Sequence, residues 1–263
     1  MTAPAITIRP SVHVYEDARR PNVVGDLWAA SGAPILGERI RDGIEVWPSH
    51  GGATGTWPLP CSGTVPDPDA SKAGSRAESV IFPAVVIWAA DECSTVGNSE
   101  QRAYDLASAT LDLDARHRLE EHYIRHVITD TEHLTTVTAA DPPADIKPVA
   151  MALGALEHRI RRWGHTGVVH ASDELLPAMH TAGLVRWDGD TPRTPGGSVW
   201  AFGSGYADAL GTDTLIATGP TSIYLSETLG TAETDPRQNI IYAVRERIAA
   251  VVHTDTAYRV VLT

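Results

Sequence analysis

The side chains on which chemistry could be built are the chain's 11 histidines, its 33 acidic residues and its two cysteines, so their spacing is the first question. His122 and His126 stand four apart, the spacing of a zinc-binding pair on one helical face. The HExxH motif fails, however, because Tyr123 occupies the position that needs glutamate. The run from His117 to His122 (HRLEEH) does not make the H-x-x-E-H variant either, and these histidines read as solvated or interface groups. His50-Gly51-Gly52 has the form of an esterase oxyanion loop, but the chain has no G-x-S-x-G elbow to supply a nucleophile. Glu120 and Glu121 are adjacent, so on a helix they point about 100° apart and cannot share one substrate. Gly203-Ser204-Gly205 lacks the third glycine of a dinucleotide fingerprint and reads as a tight turn after a strand over 199–202. No catalytic residue, cofactor site or metal site is expected, and nothing names an enzyme.

The element that must organise the chain is the stretch Asn98 to Ile128, which has neither proline nor glycine. Asn98 with Gln101 three residues on suggests an N-cap, and Glu100 suits the positive first turn. Uninterrupted, such a helix would be roughly 45 Å long. Its expected apolar stripe (Ala103, Leu106, Leu113, Ile124, Ile128) is thin, with His117, Glu120 and Glu121 in or beside it. This is a spine lying across a flat molecule; two shorter helices broken near Asp112–Asp114 are the alternative.

Ahead of it, Ile6, Ile8, Val12 and Val14 alternate as in an extended arm that pairs with something, and Leu27, Trp28, Ile35 and Leu36 offer apolar anchors. Strands are expected over 44–47 (IEVW) and 79–88 (SVIFPAVVIW). The glycine- and proline-rich segment between them forms a long hairpin tip or a surface loop. Behind the spine come a short strand over 133–137, a helix over 148–163, a buried strand over 167–171, and a helix capped by Ser172 or Asp173 and stopped by Gly183. Residues 149–206 thus describe an α/β subdomain. Strands are expected at 214–217, 221–225 and 258–262, while 239–252 matches helix and strand periodicities alike.

The chain has 263 residues and 43% hydrophobic content, enough for one large domain or two joined ones. A net charge of −12 argues against a dedicated nucleic-acid binder. Among 21 basic residues only Lys72 and Lys147 are lysines; arginine suits bidentate contacts between subunits. Cys61 and Cys93 have no CxxC partner, which speaks against a disulfide framework and for a reducing compartment. No apolar run of about 18 residues and no h-region occur, so a cytosolic product without a membrane span is expected.

Laid out in order, arm, long hairpin, spine helix, α/β subdomain and returning strands resemble the HK97-type major capsid proteins of tailed bacteriophages and the related encapsulin shells. Local stretches are similar to actinobacteriophage members: Cys93-Ser94-Thr95-Val96-Gly97 before Glu100-Gln101-Arg102-Ala103, and Gly167 to Ser172 with the helix ending at Ala182-Gly183-Leu184. Others are Thr194-Pro195-Gly196-Gly197, Gly203-Ser204-Gly205-Tyr206, Thr218-Gly219-Pro220 and Asn239 to Ile248. Together they run in order from Cys93 to the chain's end.

The resemblance implies an α+β HK97-like fold. Residues 1–43 would be the N-terminal arm and short helix, 44–92 the E-loop hairpin, and 93–148 the P-domain with its spine. Residues 149–213 would be the A-domain and 214–263 the returning P-domain strands, with 239–252 mainly a strand. It implies a structural subunit, not an enzyme, that self-assembles into hexamers and pentamers of an icosahedral shell around packaged dsDNA. Scaffold, portal or decoration proteins are the further partners it implies, in a virion assembled in the bacterial host cytoplasm. An encapsulin-like compartment or a minor capsid or connector subunit is the alternative. No long helical segment precedes the arm, so a separate scaffold is expected in place of a fused one. The candidate intersubunit contacts are Trp57, Lys72, Arg76 and Trp28. Trp57 sits in the hairpin tip between Trp47 and Trp88, and for each tryptophan the alternative is intrachain core. Arg76 would pair with an acidic neighbour, and Lys72 is the residue left for the Lys–Asn crosslink that some members of the family form.

Overall fold

The computed structural model describes residues 24–37, 40–47, 74, 78–129, 134–140, 147–162, 164–254 and 257–262. Its organising element is helix α2 (Glu100–His122), which runs without a break into a π-helical turn, Tyr123–Ile128. Asp112 and Asp114 therefore do not split the spine. Its cap lies one residue later than the sequence suggests: Ser99, not Asn98, accepts the Arg102 N–H, at 3.2 Å. The Asn98 side chain instead donates to the Ser94 carbonyl.

The buried stripe of α2 also differs from expectation. Ala103, Ala107, Leu111, Ala115, Leu119 and Tyr123 are buried, while Leu106 and Leu113 are half exposed. Buried residues recur every fourth position, so the stripe advances roughly 40° per step around a helix of 3.6 residues per turn. The spine consequently turns one side to a sheet near its start and another side to the α/β part near its end. Alanine lines the sheet contact because a close helix–sheet approach leaves no room for leucine: Ala103 and Ala107 pack on Ile241 and Ala243.

That sheet is built on β13 (Ile240–His253), so the ambiguous segment 239–252 is strand. β13 pairs antiparallel with β4 (Val85–Ser94) on one side, and with β12 (Leu229–Asp235) and β11 (Thr221–Leu225) on the other. β1 (Ile35–Leu36) extends β11. Asn239, at φ 53°, completes the β12–β13 turn, and Asp235 caps that turn by accepting from the Arg237 N–H. The strand expected over 79–88 is two strands. Pro83, which has no N–H to give, separates β3 (Val80–Phe82) from β4. β3 pairs with β2 (Ile44–Val46) as the base of the expected hairpin.

A second, seven-stranded sheet has β6 (Val168–Ser172) near its middle, every residue of it buried. β6 lies parallel to β9 (Val199–Gly203), the expected βαβ relation, with α4 (Leu176–Thr181) in the connection. β8 (Thr191–Arg193) and β7 (Arg186–Asp188) follow on the β9 side. On the other side β6 pairs with β10 (Thr214–Thr218), then β14 (Ala257–Val261), then β5 (Leu134–Thr136). The segments 214–217 and 258–262, expected to return to the spine's sheet, thus complete the α/β sheet instead. Helix α3 (Pro148–Arg161) covers this sheet through Leu153, Leu156 and Ile160, and Trp200 is sealed beneath, donating to the Leu184 carbonyl.

A second apolar cluster fills the space between the two sheets. It joins Leu27 of α1 (Leu27–Ser31), Leu119, Tyr123 and Ile124 of the spine, Ala201 and Ile216 of the α/β sheet, and Ala249 and Val251 of β13.

Candidate functional site

The junction between the spine, α1 and the α/β sheet holds a buried polar site that sequence reasoning passed over. Glu120 is 2% exposed. Its two carboxylate oxygens accept one backbone N–H each, from Leu27 at the start of α1 and from Gly205, both at 3.1 Å. Gly203-Ser204-Gly205 is the expected turn, and this docking explains its composition. A Cβ on Gly203 would stand 2.7 Å from the Glu120 carboxyl carbon, and one on Gly205 would meet the spine backbone at Glu121 N, 2.7 Å away. His117 Nδ1 and Ser204 Oγ, 3.1 Å apart, bind the same turn to the spine. Beside Leu27, Asp26 caps α1 by accepting from Ala29 N–H and pairs with Arg116 at 2.8 Å.

Thr194-Pro195-Gly196-Gly197-Ser198 repeats the device on α3. The buried Glu157 accepts from the Thr194 hydroxyl, and a Cβ on Gly196 would run into its carboxylate. The turns at 194–198 and 203–205 are therefore each seated on a helix-borne glutamate. In the sequence, the only trace of this was an acidic residue in or beside the apolar stripe of a helix.

Burial pushes the Glu120 carboxyl up to about 7. Its two N–H bonds work against that rise, and the nearby charges of Asp26 and Asp173 add to it. Around it lie further sealed groups. His170 is fully buried and pulled down to about 3 by desolvation, with His253 contributing, so it is neutral. Thr218 Oγ1 donates to the Gly219 carbonyl and must accept from His170 Nε2–H, 3.0 Å away, which leaves Nδ1 to accept from the Tyr206 hydroxyl. Burial raises the Tyr123 and Tyr206 hydroxyls, and Tyr123 lies 3.0 Å from His253 Nδ1. These groups are enclosed in packed side chains, so the arrangement can fix the two sheets relative to each other.

Of the expected contact residues, Trp57, Lys72 and Arg76 lie outside the described residues, as does the His50-Gly51-Gly52 loop. Trp28 is half-buried against the central cluster, with the Arg116 guanidinium 5.6 Å from its ring. His122 and His126 have ring centroids 5.3 Å apart, and among the described residues no group of three or more metal-ligating side chains converges. No helix among the described residues is long and apolar enough to cross a membrane.

The outer face of the spine's sheet carries a second feature. Leu229, Glu246 and Trp88 stand directly opposite one another across β12, β13 and β4, and Ile248 opposes Val86 in the next row. Trp88 is 65% exposed and Leu229 58%, with Val86 and Tyr242 about half exposed. A groove of about 350 Å³ opens there, lined by Arg41, Val86, Leu229, Glu246 and Ile248 among others.

No protein-family model and no curated protein matches the chain. Solved structures do. A chain from the capsid of an empty GTA particle superposes with TM-score 0.57 at 11% identity, over 97% of this chain and 95% of that one. A chain from Microbacterium phage Oxtober96 gives 0.55 at 12% identity, over 97% and 96%. One from the phage G assembly of major capsid and decoration proteins gives 0.53 at 11% identity, over 96% and 94%. The chain has the α+β HK97-like fold of these capsid chains.

Proposed function

We propose that the chain is a structural subunit of an icosahedral bacteriophage capsid, assembling through hexamers and pentamers to enclose dsDNA, and that it is not an enzyme. The observation that carries this reading is the likeness of fold to the GTA-capsid chain, which extends over 97% of this chain and 95% of that one. The exposed apolar row on β4, β12 and β13 supports it, because a surface with Trp88, Leu229 and Val86 at or above half exposure resembles a contact face awaiting a partner. So does the buried chemistry: the titratable groups at the junction bond to one another and lock elements together.

In this reading the E-loop hairpin is residues 44–82, shorter than the expected 44–92 because β4 joins the spine's sheet. Residues 1–43 are the arm, and the sheet around the spine, β4 included, is the P-domain. The α/β sheet, with β10 and β14 included, is the A-domain. Arm and hairpin lie over neighbouring copies, with Trp57, Lys72 and Arg76 in those contacts. Many modest contacts per subunit then add up to a cooperative closed particle. The net charge of −12 lets packaged DNA be enclosed without being gripped. Assembly takes place in the host cytoplasm, with scaffold, portal or decoration proteins as further partners.

Electron microscopy of the expressed full chain tests the proposal. Closed shells or ring-shaped capsomers are the expected result, and a monomer at every concentration refutes it. An enzyme co-purifying inside the shell would instead favour the encapsulin-like alternative.

A further inference from the structure

We propose that Glu120 is a proton-released latch: ionised, it holds both α1 and the Gly203–Tyr206 turn against the spine, and protonated, it keeps one of the two. The argument starts from valence. A carboxylate presents two accepting oxygens, and here each has one backbone N–H to satisfy, from Leu27 and from Gly205. A protonated carboxyl keeps one good acceptor, since its hydroxyl oxygen becomes a donor. One N–H must then face an O–H in a site with no water-exposed alternative, because Glu120 is 2% exposed and Leu27 and Gly205 are both buried. The steric cradle makes the choice sharp. Gly203 and Gly205 press on the glutamate closely enough that a single Cβ would not fit, so the turn cannot slide to a compromise position without leaving its seat.

The titration falls in the right range, with the carboxyl held up at about 7 by burial. The charged and titratable neighbours on each packed element are accounted for. Asp26 at the head of α1 is paired with Arg116, and Asp173 precedes α4; both raise the carboxyl. On the spine itself His117 is engaged with Ser204, and Glu121 is bridged by Arg118 and Arg125. Tyr206, on the docked turn, has its own hydroxyl pushed further up by Glu120 and stays neutral. No cation contacts the Glu120 carboxylate among the described residues, so nothing there holds it ionised in acid.

The latch matters because of what hangs from it. Leu27 opens α1 and is itself part of the central apolar cluster, so the Glu120 bond to its N–H seats α1 on the spine. The turn held by the other oxygen ends β9 and leads into α5 (Ala207–Leu210), so it belongs to the α/β sheet. Protonation thus loosens either the seat of α1 on the spine or the tie between spine and α/β sheet. The inference rests on the fold and is independent of the capsid reading.

Hydrogen–deuterium exchange of the full chain at about pH 8 and about pH 5.5, corrected for intrinsic rates and referenced to peptides from β6, tests it. The peptide containing Leu27 or the one containing Gly205 should lose on the order of tenfold in protection in acid, as expected for one lost charge-assisted hydrogen bond. Glu120→Gln should show the acid level of protection at both pH values. Unchanged protection in the wild type, or an undiminished pH response in Glu120→Gln, overturns the proposal. If that variant fails to fold, carbon-13 detection of the wild-type carboxyl groups decides. One glutamate titrating between about pH 6 and 8 supports the latch, and every carboxyl titrating below about pH 5 overturns it.

Discussion

Replacing Glu120 by glutamine separates two titrations that the fold sets against each other. The folded-state carboxyl of Glu120 sits at about 7 against an ordinary 4.5. Against global unfolding, which hydrates the carboxyl, the folded protein binds the extra proton between those values. This group's contribution to stability therefore rises as pH falls from about 7 and is complete near 4.5. Detaching one N–H while the carboxyl stays buried runs the other way, because that bond lowers the carboxyl and its loss favours the proton. At about 1.4 kcal/mol per tenfold, the whole interval is equivalent to about 3 kcal/mol. His170 does the opposite. Its folded value of about 3 lies below the ordinary 6.5, so the unfolded chain takes the proton first and stability falls as pH drops below about 6.5. From 6.5 to 5 the loss is about 2 kcal/mol. The two slopes are equal and opposite between about pH 4.5 and 6.5, and together they give a nearly flat contribution there. Glutamine keeps the shape of Glu120 without its titration, so the variant should lose about 2–3 kcal/mol relative to the wild type on going from about pH 8 to about pH 5. Urea unfolding of both full-length proteins across that range measures the difference directly. Profiles that stay parallel would mean that Glu120 titrates like an ordinary surface carboxylate and that the junction is wet.

Other consequences are open to measurement. Gly205→Ala should destabilise the subunit by about 2–3 kcal/mol or more, because the new methyl meets the fixed spine backbone. Gly154→Ala should stabilise it by about 0.5–1 kcal/mol, because that position is exposed and helical with open space around it. Thermal melts of the two variants should therefore move in opposite directions. Trp88→Ala should leave the unfolding midpoint of the free subunit within about 0.5 kcal/mol of wild type, since its ring is 65% exposed. It should also raise the concentration needed for assembly at least about tenfold, as loss of an aromatic anchor at an interface does. Light scattering against concentration reads this, and an unchanged threshold would remove the β4 face from the contacts.

Much of this architecture could be read before any coordinates. The spine was legible because a stretch without proline or glycine and with a cap at its head has few other options. Its buried face was not: leucines 106 and 113 drew the stripe, whereas the close contact with β13 selects alanines, which carry little hydrophobic signal. Strands β10 and β14 were visible as strands, yet their partners were not. A pairing between residues 214 and 261 is a tertiary fact that local pattern does not encode. The β13 ambiguity, a tie between two periodicities, was broken only by resemblance. Glycine turns 194–198 and 203–205 were seen, but a turn motif does not announce what it docks on. Glu120 looked like one more carboxylate near a helix stripe until the fold placed two amide protons on it.

The central claim, that this subunit is made to be surrounded by its own copies, is tested most directly by imaging the purified protein at assembly concentrations and reconstructing any particle by cryo-electron microscopy. The account predicts closed shells in which a helix about 45 Å long, the spine with its π-turn, lies in each subunit and the Trp88–Leu229 face meets a neighbour. A homogeneous 28.1 kDa monomer at every concentration, with the Trp88 face open to solvent, would contradict it.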